Sequence, residues 1–579
     1  MKKATAMFIL AFCFIAHAYA GEAYNDEMSD LAFSPAADPS AVYNIPSPYY
    51  PRPDDSPGII VGTTRYDKQT NGTVGIRIAR HECGTHIAWM NGITSWNSDR
   101  WIYYNFIDPD GNLGWAEGVQ VSEVQGAGYT QLDIDSDGRA LIVFHNYYNL
   151  LLTLATDAGC GMGMFTLHDV PNQFPGQYDF YWPYINYDNS GNIQVTACEN
   201  APNAGDPQWF GHTISTDSEA SWTDLEIVDS LMCISEIPVS SPVDNKVALV
   251  YTRPIVVEGQ LMQIVNDVCY IESEDGITWN YAETVNVTNY DYLTDSVFAY
   301  TDLAACYDYN GDLHILWNAP AYWIPQGIYM EDSCLLFHWS ENTGINLVYN
   351  AWHNSYPGSW NRSASKMSIS CDRYNNLFAL WTNFNDWDVS AIGFSNGELY
   401  FSYSSDGGAT WSEAENLTNT PTPACTTGAC DCEHYATMAR YVDDSIYITY
   451  IEDKDPGRVS GGEGRETVNP VRYYVIENPL WPTSVEDEET TPKVFELLQN
   501  FPNPFNASTN IEFELKGNAP IRLEIFNIHG ERVSTLAEGV HSAGKHTVTW
   551  DASGMASGIY FYRLTANGRA ETRPMVMIK

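Results

Sequence analysis

Seven short strings, spread from residue 83 to residue 451, restrict this chain more than any other feature. They read CGTHIAWM, GRALIVFH, GNIQVTAC, NKVALVYT, GDLHILWN, NNLFALWT and DSIYITYI. Each is a turn pair followed by an alternating or apolar run, which is the pattern of a hairpin feeding a strand. The seventh position of each holds Trp89, Phe144, Ala197, Tyr251, Trp317, Trp381 and Tyr450. These positions lie 55, 53, 54, 66, 64 and 69 residues apart, room for four short strands and their loops. Helical patterning is almost absent. Units of this kind bury their faces against one another when stacked radially. The expectation is an all-β fold, a seven-bladed β-propeller over residues 21–480, with six blades if the first unit is degenerate. A strand from near Ala41 to Ile45 would join the last blade and leave no free edge. The aromatic column is expected to pack between blades. The alternative is a ring of sugar-stacking platforms.

The stretch SSDGGATW, Ser404 to Trp411, reads as a tight turn between two strands. Asp406 accepts from following N–H groups, Gly408 permits a positive φ, and Trp411 packs at the start of the next strand. With Ser404 and Thr410, this spacing resembles the Asp-box, or bacterial neuraminidase repeat. Ser215 to Trp222 fits the same pattern through Asp217 and Trp222, with Glu219 in the Gly position. Glu272 to Trp279 fits more loosely: Gly276, Thr278 and Trp279 align, and Glu274 stands for the Asp. The resemblance implies a propeller and suggests, as one activity, a sialidase-like glycoside hydrolase. That family uses an Arg triad, an Asp acid/base and a Tyr nucleophile assisted by a Glu. Its Arg-Ile-Pro motif is missing, and the nearest string is Arg77-Ile78-Ala79-Arg80. Arg65, Arg253, Arg373 and Arg440 lie in different units and would have to converge. No catalytic set is nominated.

DIDSDG brings Asp133, Asp135 and Asp137 close together, like the start of a calcium loop. The repeat also explains it as the hairpin turn before the second string. Calcium at these three residues is the one cofactor expectation. His145, Glu199, Arg253 and Asn318 follow the aromatic column and are the candidate ligand-binding residues, lining a face where loops converge. Cys425, Cys430, Cys432 and His434 suggest either a zinc site or a loop disulfide with a spare thiol.

Lys and Arg number 28 against 73 Asp and Glu, a formal charge of -45. Nucleic acid and anionic membranes are therefore poor partners. Residues 1–20 read as a signal peptide, with Lys2 and Lys3 before an apolar run and Ala18-Tyr19-Ala20 at the cleavage site. No transmembrane segment is expected in the mature chain. An acidic, Pro-containing linker spans 481–493, and 494–579 alternate as strands separated by turn signals, a small Ig-like β-sandwich. Pro502, Asn503, Pro504 and Phe505, then Gly544, Trp550, Asp551, Gly558, Tyr560 and Tyr562, resemble a type A C-terminal sorting domain of the type IX secretion system. The resemblance implies the type IX machinery as partner and a secreted or cell-surface destination. Together these features suggest a non-catalytic glycan- or protein-binding propeller. The alternatives are the sialidase-like hydrolase and a structural component of the cell surface or matrix.

Overall fold

The computed structural model describes residues 56–94, 99–148, 150–200, 208–232, 234–257, 260–322, 330–353, 355–482, 495–503, 505–527, 532–555, 557–566 and 569–577. The signal-peptide residues, the strand expected near Ala41 to Ile45 and most of the acidic linker lie outside them. The chain divides into two compact units at Trp481 and Pro482.

The described residues of the larger unit form seven sheets, six of them antiparallel and four-stranded. Their leading strands are Ile78–His81, Ala127–Ile134, Phe180–Tyr187, Glu236–Ser240, Leu303–Tyr307, Ala364–Asp372 and Cys432–Met438. The second strands are Gly84–Gly92, Ala140–Asn146, Ile193–Glu199, Val247–Val257, Leu313–Tyr322, Leu377–Val389 and Ser445–Asp453, and each carries one of the seven strings. The sixth sheet gains a fifth, parallel strand, Tyr441–Val442. In the seventh, Ile59–Thr64 from the beginning of the unit pairs antiparallel with Asn469–Glu477 from its end. This strand, downstream of the one expected near Ala41 to Ile45, joins the beginning of the unit to its last sheet.

Seven apolar clusters join neighbouring sheets, six of them consecutive sheets and one the seventh to the first. Each cluster contains one residue of the aromatic column. Trp89 lies between the seventh and first sheets, Phe144 between the first and second, and Trp381 between the fifth and sixth. All seven column residues are at most 2% exposed, so the column packs sheets together and offers no platforms to sugar. Burial of one such ring contributes on the order of 2 kcal/mol.

Register separates two ends of the sheets. The DIDSDG turn joins Ile134 to its partner Ala140 at one end, while Gly128 faces His145 at the other. Ser215 pairs with Ile193, next to Tyr187, at the DIDSDG end. At this turn end Asp406 Oδ1 accepts from Thr410 N at 2.9 Å and Oδ2 from Thr410 Oγ1 at 2.6 Å. Asp217 makes the same two bonds to Ser221. In the third turn it is Asp275, not Glu274, that does so, accepting from Thr278 N and Oγ1. This turn is one residue shorter, so matching the sequence at constant length selects the wrong acid.

The smaller unit is a β-sandwich. Phe495–Leu497, Ser508–Leu515 and Gly544–Asp551 form one sheet. Arg532–His541, Ala519–Phe526, Gly558–Ala566 and Arg569–Met577 form the other. One core holds Phe505, Trp550 and Tyr562. Asn503 Oδ1 accepts from Val576 N at 2.8 Å, and Pro502 O accepts from Thr509 Oγ1 at 2.8 Å. The signature residues thus clasp the sheet edges; Pro504 lies outside the described residues.

Candidate active site

Four leading strands break their register at the end opposite the turns. The breaks lie between Gly128 and Gln131, Tyr181 and Tyr184, Ser365 and Ser368, and His434 and Thr437. Within each bulge one large residue has a left-handed backbone: Tyr129 at φ 56°, Trp182 at 53°, Lys366 at 54° and Tyr435 at 54°. This conformation is costly for a side chain of such size, and it persists only where the surroundings enforce it. Bulges also re-aim side chains. All four re-aimed residues line one of two depressions. Lys366 and Tyr435 line the first, and Tyr129 and Trp182 line the second.

A buried segment without regular structure, Tyr66 to Gly75, is enforced by these strands and in turn holds them. Tyr184 Oη donates to Thr73 O at 2.7 Å, Thr437 Oγ1 to Gly75 O at 2.9 Å, and Lys366 Nζ to Gly72 O at 3.3 Å. Gly72 must be glycine, because a Cβ there would lie 2.4 Å from Ile234 O. The segment therefore meets strands of the second, third, sixth and seventh sheets and the approach to the fourth.

The first depression is a small hollow with an open mouth. Asp67, Trp360, Lys366, His434, Tyr435, Asp453 and Arg458 are among its walls. Asp67 accepts from Lys68 N at 2.9 Å and from Val459 N at 2.7 Å. Burial nevertheless pushes its carboxyl up to about 6. Burial, reinforced by the negative charge of Asp67, also raises Asp453 well above the carboxylate range. His434 is pushed the other way, first by burial and then by Lys366 and Arg77, so the imidazole is neutral. Its Nε2 is buried without a hydrogen-bond partner. The His434 and Tyr435 rings lie 3.9 Å apart. Arg77 donates to Tyr435 O, and its guanidinium carbon is 5.9 Å from the Tyr435 ring centre. Burial holds the Tyr435 phenol well above its usual range, so it stays a proton donor.

The four candidate ligand residues sit at this same end but line neither depression. His145 is packed against Tyr129 and Tyr181, and its Nδ1 accepts from Trp182 N at 3.3 Å. Glu199 accepts from Tyr178 N at 3.0 Å, and Asn318 donates to Ala364 O at 3.0 Å. Arg253 pairs with Asp229 at 2.9 Å. They brace loops. The four arginines considered for a clamp do not converge: Arg65 pairs with Glu466, Arg440 with Asp133, and Arg373 lies over Tyr374 and Trp481. Of the early string, Arg77 lies behind the site, against Tyr435. Asp133 and Asp135 turn to different partners, Asp133 to Arg440 and Tyr187 N, and Asp135 to Arg139.

Cys425 and Cys430 form the loop disulfide, and Cys432 stays a buried thiol. A second disulfide joins Cys83 to Cys160. Among the described residues, His81, Cys83 and Cys160 are the one group with three metal-type ligand atoms within 4.8 Å of one another, and two of those atoms are the bonded sulfurs. His434, first grouped with the cysteines for its spacing, belongs to the site for a different reason. Asp67, Lys366, Tyr435, Asp453 and Arg458 carried no signal beyond a broken alternation at SKMS and HYAT.

No curated protein matches the sequence. Solved structures resemble it remotely. Polysaccharide lyase Uly1 is 11% identical, with 69% of this chain and 89% of that one covered and a TM-score of 0.41. An α-L-arabinanase of Penicillium chrysogenum, complexed with arabinobiose, is 10% identical over 60% and 92% of the two chains, TM-score 0.36. An intramolecular trans-sialidase of Ruminococcus gnavus, bound to oseltamivir carboxylate, is 11% identical over 73% and 97%, TM-score 0.35. No helix among the described residues is long and apolar enough to cross a membrane. Residues 499–579 match the secretion system C-terminal sorting domain, so the chain carries the module that addresses proteins to the type IX translocon, in keeping with a secreted or cell-surface destination.

Proposed function

We propose that the seven sheets close into a seven-bladed propeller whose first depression cleaves glycosidic bonds in a polysaccharide. The unbroken series of inter-sheet clusters and the shared seventh sheet support closure. One observation carries the reaction. A carboxyl raised to about 6 and a neutral imidazole with an unpartnered Nε2 line the same solvent-reaching cleft. Cleavage of an acetal needs one group that gives a proton to the leaving oxygen and one that takes a proton from water. Protonated Asp67 fills the first role and His434 the second. The Tyr435 hydroxyl and the cations of Lys366 and Arg458 orient the sugar, and Trp360 offers a ring face. Binding alone, the reading favoured by the sequence, gives no reason for a strained backbone that presents a proton donor and a lysine.

The surrounding cations favour a second reading. Lys366 and Arg458 suit a carboxylated sugar: His434 would take the C5 proton beside the carboxylate, the C4–O bond would break to leave a C4–C5 double bond, and the Tyr435 hydroxyl would protonate the departing oxygen. The test is incubation of the full chain with neutral, uronate-containing and sulfated polysaccharides. New reducing ends that take up oxygen from heavy-oxygen water mean hydrolysis, and ends with an unsaturated uronate mean elimination. Either activity should fall about a hundredfold or more in His434→Ala and Asp67→Asn. Saturable binding without new ends on any of these glycans would return the protein to a binding role.

A further inference from the structure

We propose that the second depression is a separate binding subsite for a pyranose ring of the same glycan chain, with Trp182 as its stacking face. The proposal rests on the glycan-cleaving reading of the first depression. The second is a shallow hollow open to solvent, lined by Tyr129, Trp182, Pro183 and Tyr184 beside Asn71 and Gly72. Thr70 lines both depressions, so they adjoin across the buried segment.

Three features give this hollow the chemistry of a sugar site and not of a packing defect. Its aromatic walls are fixed edge-to-face: the Tyr129 and Trp182 rings are 6.5 Å apart at 86°. Trp182 is only partly buried, so part of its ring faces solvent. Tyr129 Oη donates to Asn71 Oδ1 at 3.2 Å, which fixes the amide and leaves its NH₂ group as a donor. An aromatic face beside fixed polar donors matches a pyranose, whose C–H face is apolar and whose rim carries hydroxyls. The backbone argument is independent. Tyr129 and Trp182 occupy the same left-handed bulge position as Lys366 and Tyr435. The same distortion thus presents chemical groups on one side of Thr70 and aromatic faces on the other.

The experiment uses the full chain with Asp67→Asn to prevent turnover, titrated with cellohexaose, xylohexaose, hexagalacturonan and hexaguluronan. Tryptophan fluorescence and calorimetry provide the readouts. At least one hexamer should bind, and a second change, Trp182→Ala, should weaken that binding about tenfold. Trp182→Phe should restore most of it, and Asn71→Ala should weaken it severalfold in a protein whose melting curve is unchanged. Binding that is insensitive to Trp182→Ala and Asn71→Ala but lost in Tyr435→Phe overturns the subsite and leaves the first depression standing. No binding of any hexamer, together with no cleavage by the unmodified chain, overturns both.

Discussion

Lys366 Nζ lies 2.6 Å from Asp302 Oδ1, and the two side chains are 1% and 0% exposed. The backbone N–H of Lys366 also donates to Asp302 Oδ2, at 3.1 Å. One carboxylate therefore holds both the ammonium and the left-handed backbone that presents it. Asp302 immediately precedes the fifth sheet, and Lys366 belongs to the sixth, so the pair also ties neighbours together. Removing one partner leaves a buried charge alone. Asp302→Asn should cost about 3 kcal/mol or more in the unfolding transition of the larger unit. Adding Lys366→Met to that variant should recover part of the loss, although the cleft would lose a cation. Chemical denaturation of the single and double variants checks this. Equal losses in both would mean that the bulge, not the charge pair, is the costly element.

Asp67 sets a pH dependence whose direction follows from its burial. Its folded value is about 6 against 3.8 for an unperturbed Asp. A carboxyl raised on folding binds its proton more tightly in the native state. Its stabilising contribution is complete below pH 3.8 and is lost as pH rises through about 6. Asp67→Asn should therefore flatten the stability profile between those limits and raise stability above them. In the proposed reaction the acid form is the active one, so kcat/KM should decline above about pH 6, with that limb absent from the residual activity of Asp67→Asn. A rate limb that persists unchanged in the variant would assign the proton to another group.

The sequence made the scaffold legible because packing imposes period. In six of the seven sheets the second strand places one large side chain between two sheets, and Trp89, Phe144, Tyr251, Trp317, Trp381 and Tyr450 recur for that reason. The site had no such period. Lys366 and Tyr435 line the first depression by virtue of a backbone dihedral that tertiary contacts enforce. Asp67 and Arg458 come from opposite ends of the larger unit and meet because the chain returns on itself. His145 shows the converse. A polar residue after an apolar strand looked like a ligand contact, but it is buried beneath Trp182 and accepts from its backbone.

The turn end should be separable from the site. Gly408 has φ 85°, and a Cβ there would lie 2.0 Å from His338 Cε1. His338 is buried and held at about 3, chiefly by burial, so it has little room to move and no charge to gain at neutral pH. Gly408→Ala should therefore destabilise the larger unit by about 2 kcal/mol through strain and displacement of the imidazole. Cleavage measured well below the melting temperature should be unchanged, because the bulges lie at the opposite strand ends. A selective loss of activity in a stably folded Gly408→Ala protein would contradict that separation.

The Cys83–Cys160 bond links the first hairpin turn of the first sheet to a turn of the second, across a sequence separation of 77 residues. A crosslink across so long a loop restricts the unfolded chain, and its removal should cost about 2–4 kcal/mol. The double variant Cys83→Ser with Cys160→Ser should melt earlier, and so should the wild-type chain in a strong thiol reductant. The two cases differ in what they leave behind. Reduction of the wild type frees two thiols beside His81, whose Nδ1 is 3.0 Å from Cys83 Sγ. Two thiolates and an imidazole with 4.8 Å or less between them form a soft three-ligand set. Zinc should therefore restore stability to the reduced wild type, while the oxidised chain and the serine variant should not respond at this site. Calorimetric melting of the three proteins with and without zinc decides it. Recovery in the serine variant would place the ion elsewhere, and no recovery in the reduced wild type would show that the sulfurs separate once their bond is broken.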